Sequence, residues 1–532
     1  MSSQLFGGKR SLRICTAILI GVVLGSFIPA NAGSGSGAKF AGSKTVRVRV
    51  PRIRLRKARG RAGRIRVGKI RFGKGHQPPQ PPPPPGGGPS QLPSGVYGDG
   101  THPDTNTTYM NAALAAGDVS LPACTIAHSG PLIIPNGRHL TGAGSTTVLL
   151  ATSSTNCALQ VQGSGALGAL QATYQNPATS RTPEDSAILI DSASGASVSW
   201  ITVTAASADG IAVRNSTSVS IDHNQISGTL SAGIRILTGN NSCSITHNAV
   251  TATGDPEIMV SGPMQNLTID RNYVPTSTNN LSAIYVVSVQ GGNITNNIIY
   301  NTLGYGMWLA GGRSGILDSI NITGNQFQAC GQGGGTGSSI LVGGFNAADA
   351  SIDVSNINIS NNAITNQNQP NAEVIAVKSL FAAVPAQPIN FLTVQNVTIS
   401  YNTINGSVSN MGISTQLVKN CTIADNRIYN CGYCHIYCAD GIAGQSVISQ
   451  NALTNPGTLT QYFGSPVIWL GTLRGLVASP PTITNNSYLV LSNTPTDNVH
   501  AYFIESDQPG SAGDSNINGN STNTMLGNKL AP

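Results

Sequence analysis

The sequence feature that most constrains the fold is a short repeat, Ile-x-x-Asn, which recurs eleven times after residue 198. It occurs in segments such as "SVSIDHNQI", "SCSITHNAV", "NVTISYNTI" and "NCTIADNRI", where an apolar residue usually follows the asparagine by two places. Steps of 24 or 25 residues dominate, with longer steps where loops intervene. The repeat asparagines are Asn224, Asn248, Asn272, Asn297, Asn325, Asn362, Asn402, Asn426, Asn451, Asn486 and Asn520. Such a period indicates one structural unit repeated along the chain.

Each repeat is expected to form one coil of a parallel β-helix. Side chains alternate between the two faces of a strand, so the isoleucine and its apolar neighbours two places away can fill a continuous core. An asparagine buried at the same bend of every coil can hydrogen-bond the backbone and the next asparagine, which offsets the cost of burying an amide. A β-sandwich or propeller fits less well because the repeat lacks hairpin signals. The sequence therefore predicts an all-β solenoid of about 11–13 coils.

Composition divides the chain into three regions. Residues 1–32 are read as a secretory signal, because three cations precede an apolar run and "ANA" stands before the expected cleavage site. Residues 33–94 are expected to be a disordered tail and linker, first Gly/Ser-rich, then basic, then Pro/Gly-rich. Residues 95–532 are assigned to the β-helix domain. The mature protein is therefore predicted to be secreted or at the cell surface, with the periplasm as the alternative.

The net charge of +8 conceals two opposite regions. Residues 39–74 hold 15 Lys or Arg and no acid, whereas residues 95–532 hold 11 Lys or Arg against 21 Asp or Glu, a difference of −10. Residues 39–74 are predicted to bind an anionic envelope or cell-surface polymer, and a solvated basic linker is the alternative. Nucleic acid is the less favoured partner, because export separates the chain from it.

The repeat and the N-terminal segment "GVYGDGTHPDTNTTYMNAAL" resemble the right-handed parallel β-helix proteins of the pectate-lyase-like superfamily. The resemblance implies a right-handed coil, a substrate groove along the first of three sheets, and an N-terminal helix that covers the first coil, with Asp104 as its expected N-cap. It specifies chemistry weakly, since this superfamily includes lyases, hydrolases, epimerases, adhesins and inactive proteins. Some relatives use calcium. We nevertheless predict no metal and no cofactor, because the sequence has no dense acidic cluster.

Four charged residues are the predicted catalytic group: Asp209, Arg214, Arg235 and Glu257. With Asp255, they gather at one end of the first-sheet strands. Glycoside hydrolysis needs two carboxylates, about 5 Å apart for retention or about 6.5–9.5 Å for inversion. Asp209 and Glu257 lie two coils apart, about 10 Å by strand spacing. A lyase instead needs a base and a cation that neutralises a uronate carboxylate, and Arg235 with Arg214 can supply the cation.

An outward column of the first sheet carries large aromatic residues. Alignment of the first-sheet segments, from "DGIAVR" to "AYFIES", places an apolar column inside the coil, from Ile211 to Phe503. The next residue of each segment then faces outward. This column contains the predicted substrate-binding residues Tyr285, Trp308, Tyr437 and Trp469. The aromatics can form a stacking platform for sugar rings, and shielding by a folded-over loop is the alternative.

Two further motifs invite a metal or haem interpretation. His223 and His247 each precede a repeat asparagine by one residue and are near Asp222, so they can ligate a metal. Surface polar residues near a bend are the interpretation we favour for them. The segment "NCGYCHIYCAD" contains Cys-x-x-Cys-His, the spacing of haem attachment. Period-two alternation places Cys434 and Cys438 on the inward face of the strand and His435 outward, so we predict no haem.

These observations predict an exported protein that acts on an extracellular polysaccharide, as a lyase or glycoside hydrolase, in a groove along the first sheet. The alternative is a non-catalytic adhesin or polysaccharide-binding protein, attached to the cell surface through residues 39–74. The catalytic motif set of the polygalacturonases is absent from this sequence. The sequence therefore leaves open whether the protein is an enzyme.

Overall fold

The computed structural model describes residues 91–454 with short gaps, followed by five short segments. The gaps are 179, 181, 279–280, 312–314, 334–336, 344–353, 366–372, 380–393, 407–410, 432–433 and 444. The later segments are 468–471, 482–489, 504–506, 525–526 and 529–530. All described residues belong to one compact unit, Gln80–Pro532. The predicted signal peptide, the basic segment 39–74 and Asn520 lie outside the described residues.

The described chain winds as a parallel β-helix with three strands in each full coil. Each strand pairs in parallel with the equivalent strand of the next coil, so three columns of strands arise, here called sheets 1, 2 and 3. Three long strands run without interruption from sheet 1 into sheet 2. These are Ile258–Asp270, Ser282–Thr295 and Met411–Ala424.

The last two residues of the strand Ile436–Ala443 also reach the start of sheet 2, and each of the other strands belongs to a single sheet. The strands of sheet 1 are Leu132–Ile134, Leu159–Gly163, Ile188–Ala193, Ile211–Arg214, Ile234–Ile236, Tyr305–Ala310, Ile340–Val342, Glu373–Lys378, Ile436–Ala443, Ile468–Gly471 and Ile504–Ser506. The strands of sheet 2 are Val119–Ser120, His139–Thr141, Ala166–Gly168, Ser197–Ser199, Ser220–Asp222, Ser244–Thr246, Leu317–Thr323, Val354–Ser360, Val394–Ser400, Val447–Ser449, Thr482–Thr484 and Met525–Leu526. The strands of sheet 3 are Cys124–His128, Thr147–Ala151, Gln171–Tyr174, Thr202–Ala205, Gln225–Ser227, Ala249–Thr251, Tyr273–Val274, Ile298–Tyr300, Gln326–Gln328, Ala363–Thr365, Thr403–Asn405, Arg427–Tyr429, Ala452–Thr454, Ser487–Leu489 and Lys529–Leu530.

The asparagine ladder is confirmed from Asn224 to Asn486. In each link, Nδ2 of one asparagine donates to Oδ1 of the next at 2.8–3.0 Å. The same Oδ1 accepts the backbone N–H of the first asparagine, and Nδ2 also donates to a carbonyl of the preceding coil. The residue before the asparagine has a positive φ, such as 57° at His223 and 55° at Asn296, which turns the chain from sheet 2 into sheet 3.

The inward column of sheet 1 is also confirmed over most of its length. Ile211 pairs with Ile234, and Ile234 pairs with the first residue of the next long strand; both isoleucines are fully buried. The prediction is wrong at the last segment. Phe503 lies outside the described residues, and the next residue, Ile504, pairs with the inward-facing Ile468 instead of facing outward. "AYFIES" carries two adjacent apolar residues, and a one-residue shift in register exchanges the faces of a strand.

The solenoid begins earlier than the Ile-x-x-Asn repeat predicts. Sheet 3 has 15 strands, which is more than the predicted number of coils. The strand register places Leu170 and Ile201 at the ladder position of the earlier coils, and both are buried. Because an apolar side chain can fill this bend without a ladder hydrogen bond, the asparagine pattern does not reveal these coils.

Helix α1, Pro103–Ala116, covers the first coil as predicted. It packs on the first strands of sheets 3 and 1, and its buried residues Asn106, Met110 and Leu114 recur every four positions. The predicted N-cap, Asp104, is wrong. His102 is the N-cap and Pro103 is the first helical residue, because the fixed φ of proline suits the first turn of a helix.

Two short 3-10 helices, Gly144–Thr146 and Pro183–Asp185, complete the described helical structure. Within the part of the chain that the structure describes, no helix has the length and apolarity needed to cross a membrane.

Candidate functional site

Asp209, Arg235 and Asp255 form an ion-pair cluster where the sheet 1 strands begin. Arg235 Nε lies 3.2 Å from Asp209 Oδ1, and an Arg235 terminal nitrogen lies 3.1 Å from Asp255 Oδ2. Ser231 Oγ lies 2.8 Å from Asp255 Oδ2 and 2.5 Å from Arg235. The three charged residues come from successive coils, so strand stacking brings them together. We call Asp209, Ser231, Arg235 and Asp255 the Arg235 cluster.

The Arg235 cluster is almost completely buried. The side chains of Asp209, Arg235 and Asp255 are 0%, 11% and 12% exposed. Burial raises the pKa of Asp209 to about 6, and the positive charge of Arg235 opposes this rise. A carboxyl group that titrates near neutrality suits a general acid or base. Its lack of exposed surface, however, keeps a polymer outside the protein from contacting it.

The other two predicted catalytic residues do not complete an open site. Glu257 is also fully buried, one residue before the strand that pairs with Ile234. Arg214 pairs with Asp191 at 2.8 Å and with Glu184, and it is 30% exposed. The structure thus brings Asp209 and Arg235 together and gives Arg214 different carboxylate partners. Each arginine already has carboxylates to neutralise it.

The predicted aromatic column forms two edge-to-face pairs on sheet 1. Tyr285 and Trp308 are strand partners, with ring centroids 5.0 Å apart and ring planes at 64°. Tyr437 and Trp469 are also strand partners, with centroids 5.2 Å apart and planes at 61°. All four residues are half-buried. The rings are therefore held in place and keep part of their surface at the outside of the sheet.

Trp308 has two further described neighbours. Tyr305 lies against it with ring centroids 5.4 Å apart. The Trp308 indole Nε1–H donates to the carbonyl of Gly343 at 3.3 Å, across the next coil. The structure thus combines features of both sequence hypotheses, an outward platform and partial shielding by neighbouring segments.

An ion pair between the two aromatic pairs was missed from the sequence. Lys378 pairs with Glu373, and Ser414 Oγ donates to Glu373 Oε1 at 3.0 Å. The Lys378 and Glu373 side chains are 17% and 14% exposed. The signal was present in "EVIAVK", where Ala376 and Lys378 share the outward face by alternation. The partnership of Glu373 with the next strand, however, appears only in the folded chain.

His223 and His247 form a stack on the turn between sheets 2 and 3. Their ring centroids are 4.4 Å apart with planes at 13°, and Trp200 stacks on His223 at 4.1 Å. Both Nδ1 atoms are hydrogen-bonded to Asp222, at 2.6 and 3.0 Å. Among the described residues, these three form the one group with metal-ligand atoms close together.

The stack does not suit a shared metal ion as it stands. The lone pair of an imidazole nitrogen lies in the plane of the ring, and two nearly parallel planes a stacking distance apart have no common point for an ion. The hydrogen bonds to Asp222 instead fix the orientation of both rings. This geometry favours the interpretation of His223 and His247 as polar surface residues at a bend.

The cysteines of "NCGYCHIYCAD" lie in the interior. Cys431, Cys434 and Cys438 form no disulfide and are at most 1% exposed. Burial raises the pKa of Cys431 and Cys438 to about 12, so both remain protonated at neutral pH. Buried, protonated thiols on a core strand offer no surface to a porphyrin.

His435 corrects the expected orientation of this segment. The prediction that it faces outward to solvent is wrong, because the residue is fully buried with Nε2 2.9 Å from the carbonyl oxygen of Thr454. It stands in the bend before Ile436, where the end of the next sheet 3 strand packs against it. Burial lowers the pKa of His435 to about 4, so the ring is neutral.

One protein family and several solved structures are similar to this chain. The family described as "Right handed beta helix region" matches residues 209–369. Among solved structures, the surface adhesin PfbA of Streptococcus pneumoniae is similar at 15% identity over 68% of this chain and 89% of that chain, with a TM-score of 0.46. No curated protein matches the sequence.

Two glycan-active enzymes are also structurally similar. One is the A-module of a mannuronan C-5 epimerase from Azotobacter vinelandii, at 14% identity over 82% of this chain and 98% of that chain, with a TM-score of 0.43. The other is the catalytic unit of a GH87 α-1,3-glucanase from Streptomyces thermodiastaticus, at 15% identity over 82% of this chain and 67% of that chain, with a TM-score of 0.38. The parallel strand pairing shows that the described chain is a parallel β-helix, and the right-handed β-helix family matches its residues 209–369.

Proposed function

We propose that this protein is exported and binds an extracellular polysaccharide along the outer face of sheet 1. The observation that carries the proposal is the two aromatic pairs, Tyr285–Trp308 and Tyr437–Trp469, held in one outward column by strand pairing. Indole and phenol rings bury the C–H faces of sugar rings. Six strand spacings separate Tyr285 from Trp469, about 29 Å along the axis. This separation suits a linear polymer that lies along the solenoid.

The partial burial of the four aromatic residues supports this function. A ring that neighbouring side chains already hold in place loses little conformational freedom when a ligand covers it. Binding to such rings requires no rearrangement of the coil. By contrast, a ligand that used the Arg235 cluster would have to open buried ion pairs, which costs more than it recovers unless new partners replace them.

One observation favours a second candidate, catalysis at the same face. Burial places the pKa of Asp209 at about 6, which suits proton transfer near neutral pH. In this candidate a lyase or glycoside hydrolase uses Asp209 as acid or base, Glu257 as the second carboxylate, and Arg235 with Arg214 to stabilise developing negative charge. The candidate requires a movement that exposes Asp209 and Glu257.

A matched set of tyrosine substitutions tests the binding site. Y285A and Y437A should each weaken glycan binding by about tenfold, because each removes a ring that contacts sugar. Y401A is the control, since Tyr401 is 60% exposed on the turn between sheets 2 and 3. Isothermal titration against a panel of soluble glycans measures the affinities. Equal losses in Y401A and Y437A would place the binding site elsewhere.

Product release distinguishes catalysis from binding. Wild-type protein incubated with each bound glycan should be assayed for reducing ends and for unsaturated products that absorb in the ultraviolet. If either appears, D209N should abolish it. The control is D318N, because Asp318 lies on the sheet 2 strand Leu317–Thr323 and accepts hydrogen bonds from Ser355 and Asn356. Binding without either product identifies a non-catalytic polysaccharide-binding protein.

The basic segment 39–74 is proposed to attach the protein to an anionic envelope or cell-surface polymer. Its 15 cations contrast with the −10 balance of residues 95–532, so the two regions favour different partners. Deletion of residues 39–74 should release the protein from the envelope fraction into the medium while glycan binding by the domain persists. Unchanged fractionation would show that this segment is a linker.

A further inference from the structure

We infer that the polysaccharide bound on sheet 1 is electrically neutral, without uronate, sulfate or phosphate groups. This inference rests on the proposed function and adds the class of ligand. In the part of the chain that the structure describes, the sheet 1 strands carry three cations, Arg214, Arg235 and Lys378. Each of them is already paired with a carboxylate of the protein.

The pairings are tight and mostly shielded from solvent. Arg235 contacts two carboxylates, at 3.2 and 3.1 Å, with a side chain only 11% exposed. Lys378 and Glu373 are both less than one fifth exposed. To bind a uronate, either cation would have to leave its buried partner, and an unpaired buried carboxylate is strongly unfavourable.

Arg214 is the most exposed of the three cations. It bridges two carboxylates, those of Glu184 and Asp191. Asp191 is its partner across the strands of sheet 1, so register holds the two side chains together. The Arg214 guanidinium is therefore matched by more negative charge than it carries.

The charge balance of the face points the same way. Five carboxylates, those of Glu184, Asp191, Asp209, Asp255 and Glu373, pair with the three cations. The surrounding region, residues 95–532, has ten more acidic than basic residues. A polyanionic glycan would meet like charge locally and over the whole domain. A neutral glycan meets aromatic rings and hydrogen-bonding groups without this penalty.

Glu373 is the specificity residue that follows from this geometry. Its carboxylate holds the Lys378 ammonium between the two aromatic pairs. E373Q keeps the size of the side chain and removes its charge, which leaves Lys378 available to an anionic sugar. The matched control is D318N, which makes the same change of charge away from sheet 1.

The experiment measures affinity for a neutral β-glucan, a neutral α-mannan and polygalacturonate, with residues 39–74 deleted from wild-type and variant proteins alike, because this basic segment would itself bind polygalacturonate. Wild-type protein should bind a neutral glycan, with an affinity that changes less than about twofold between about 0.05 and about 0.5 M NaCl. E373Q should gain polygalacturonate affinity by about tenfold at low salt relative to D318N, and salt should remove the gain. Thermal unfolding of E373Q checks that the variant remains folded.

The outcomes separate the inference from the function on which it rests. Salt-dependent binding of polygalacturonate by wild-type protein, weakened by Y437A, would overturn the neutral-ligand inference and leave the binding site in place. A folded E373Q with no gain over D318N would likewise contradict the role of the Glu373–Lys378 pair. Failure of wild-type protein to bind any glycan in the panel would overturn the proposed function and this inference with it.

Discussion

Removal of one ladder asparagine should destabilise the β-helix far more than removal of an exposed asparagine. Asn325 lies in the middle of the ladder and is fully buried. Its Oδ1 accepts both the backbone N–H and the side-chain N–H of Asn297, at 2.9 and 3.0 Å. Its Nδ2 donates to the carbonyl of Ile294 and to Asn362 Oδ1, at 2.9 and 3.0 Å. N325A therefore breaks four hydrogen bonds.

The size of the stability loss in N325A depends on the buried polar groups that the substitution leaves without hydrogen-bond partners. Asn297 keeps two buried N–H groups without their acceptor, and the Ile294 carbonyl loses its side-chain donor. Asn362 Oδ1 keeps the backbone N–H of Asn325, at 2.9 Å. Each buried group left unsatisfied costs about 1–3 kcal/mol, so N325A should lower the free energy of unfolding by about 3–6 kcal/mol.

Urea unfolding followed by far-ultraviolet circular dichroism measures this loss. The control is N321A, four residues earlier, since the Asn321 side chain makes exposed hydrogen bonds to Asn293 and Asn358 on the outer face of sheet 2. N321A should change the free energy of unfolding by less than about 1 kcal/mol. The reasoning is refuted if both variants lose the same stability, because the ladder would then contribute no more than a surface hydrogen bond.

Two further predictions concern buried titratable groups. Burial raises the folded pKa of Asp209 to about 6, above its unfolded value near 3.9, so its contribution to stability is complete below about pH 4 and is lost as the pH rises through about 6. In urea titrations, the stability of wild-type protein relative to D209N should therefore fall by about 2–3 kcal/mol from pH 4 to 7. A constant difference between the two proteins would contradict the raised pKa. Among the cysteines from residue 95 onward, a thiol reagent should label Cys124 alone in the folded protein, because the others are buried. Rapid labelling of Cys431 or Cys438 would contradict their placement.

The parts of the fold that sequence predicts are those with a repeated chemical requirement. An asparagine at one bend must hydrogen-bond the next, so the ladder leaves a visible period. The coils with Leu170 and Ile201 at that bend need only apolar burial, and many residues supply it. The sequence pattern therefore predicts the middle coils of the solenoid but not the first ones.

The candidate site was predictable in part for a similar reason. Alternation along a strand placed Tyr285 and Trp469 in one outward column, because the register of a β-helix repeats. Alternation does not show what covers a side chain. Asp209 and His435 are buried by neighbouring bends. The partners of Arg235, Asp209 and Asp255, are brought to it by the stacking of the adjacent coils. Such contacts depend on tertiary packing that no local pattern encodes.

Tryptophan emission provides the most direct measurement of where a glycan binds. The chain has three tryptophans, and W200F leaves only Trp308 and Trp469, both on sheet 1. Titration of W200F with a neutral glycan should shift the emission saturably, with the same midpoint as the heat of binding measured by calorimetry. Calorimetric binding with unchanged emission would show that the glycan binds away from the aromatic pairs, which contradicts the proposed site on sheet 1.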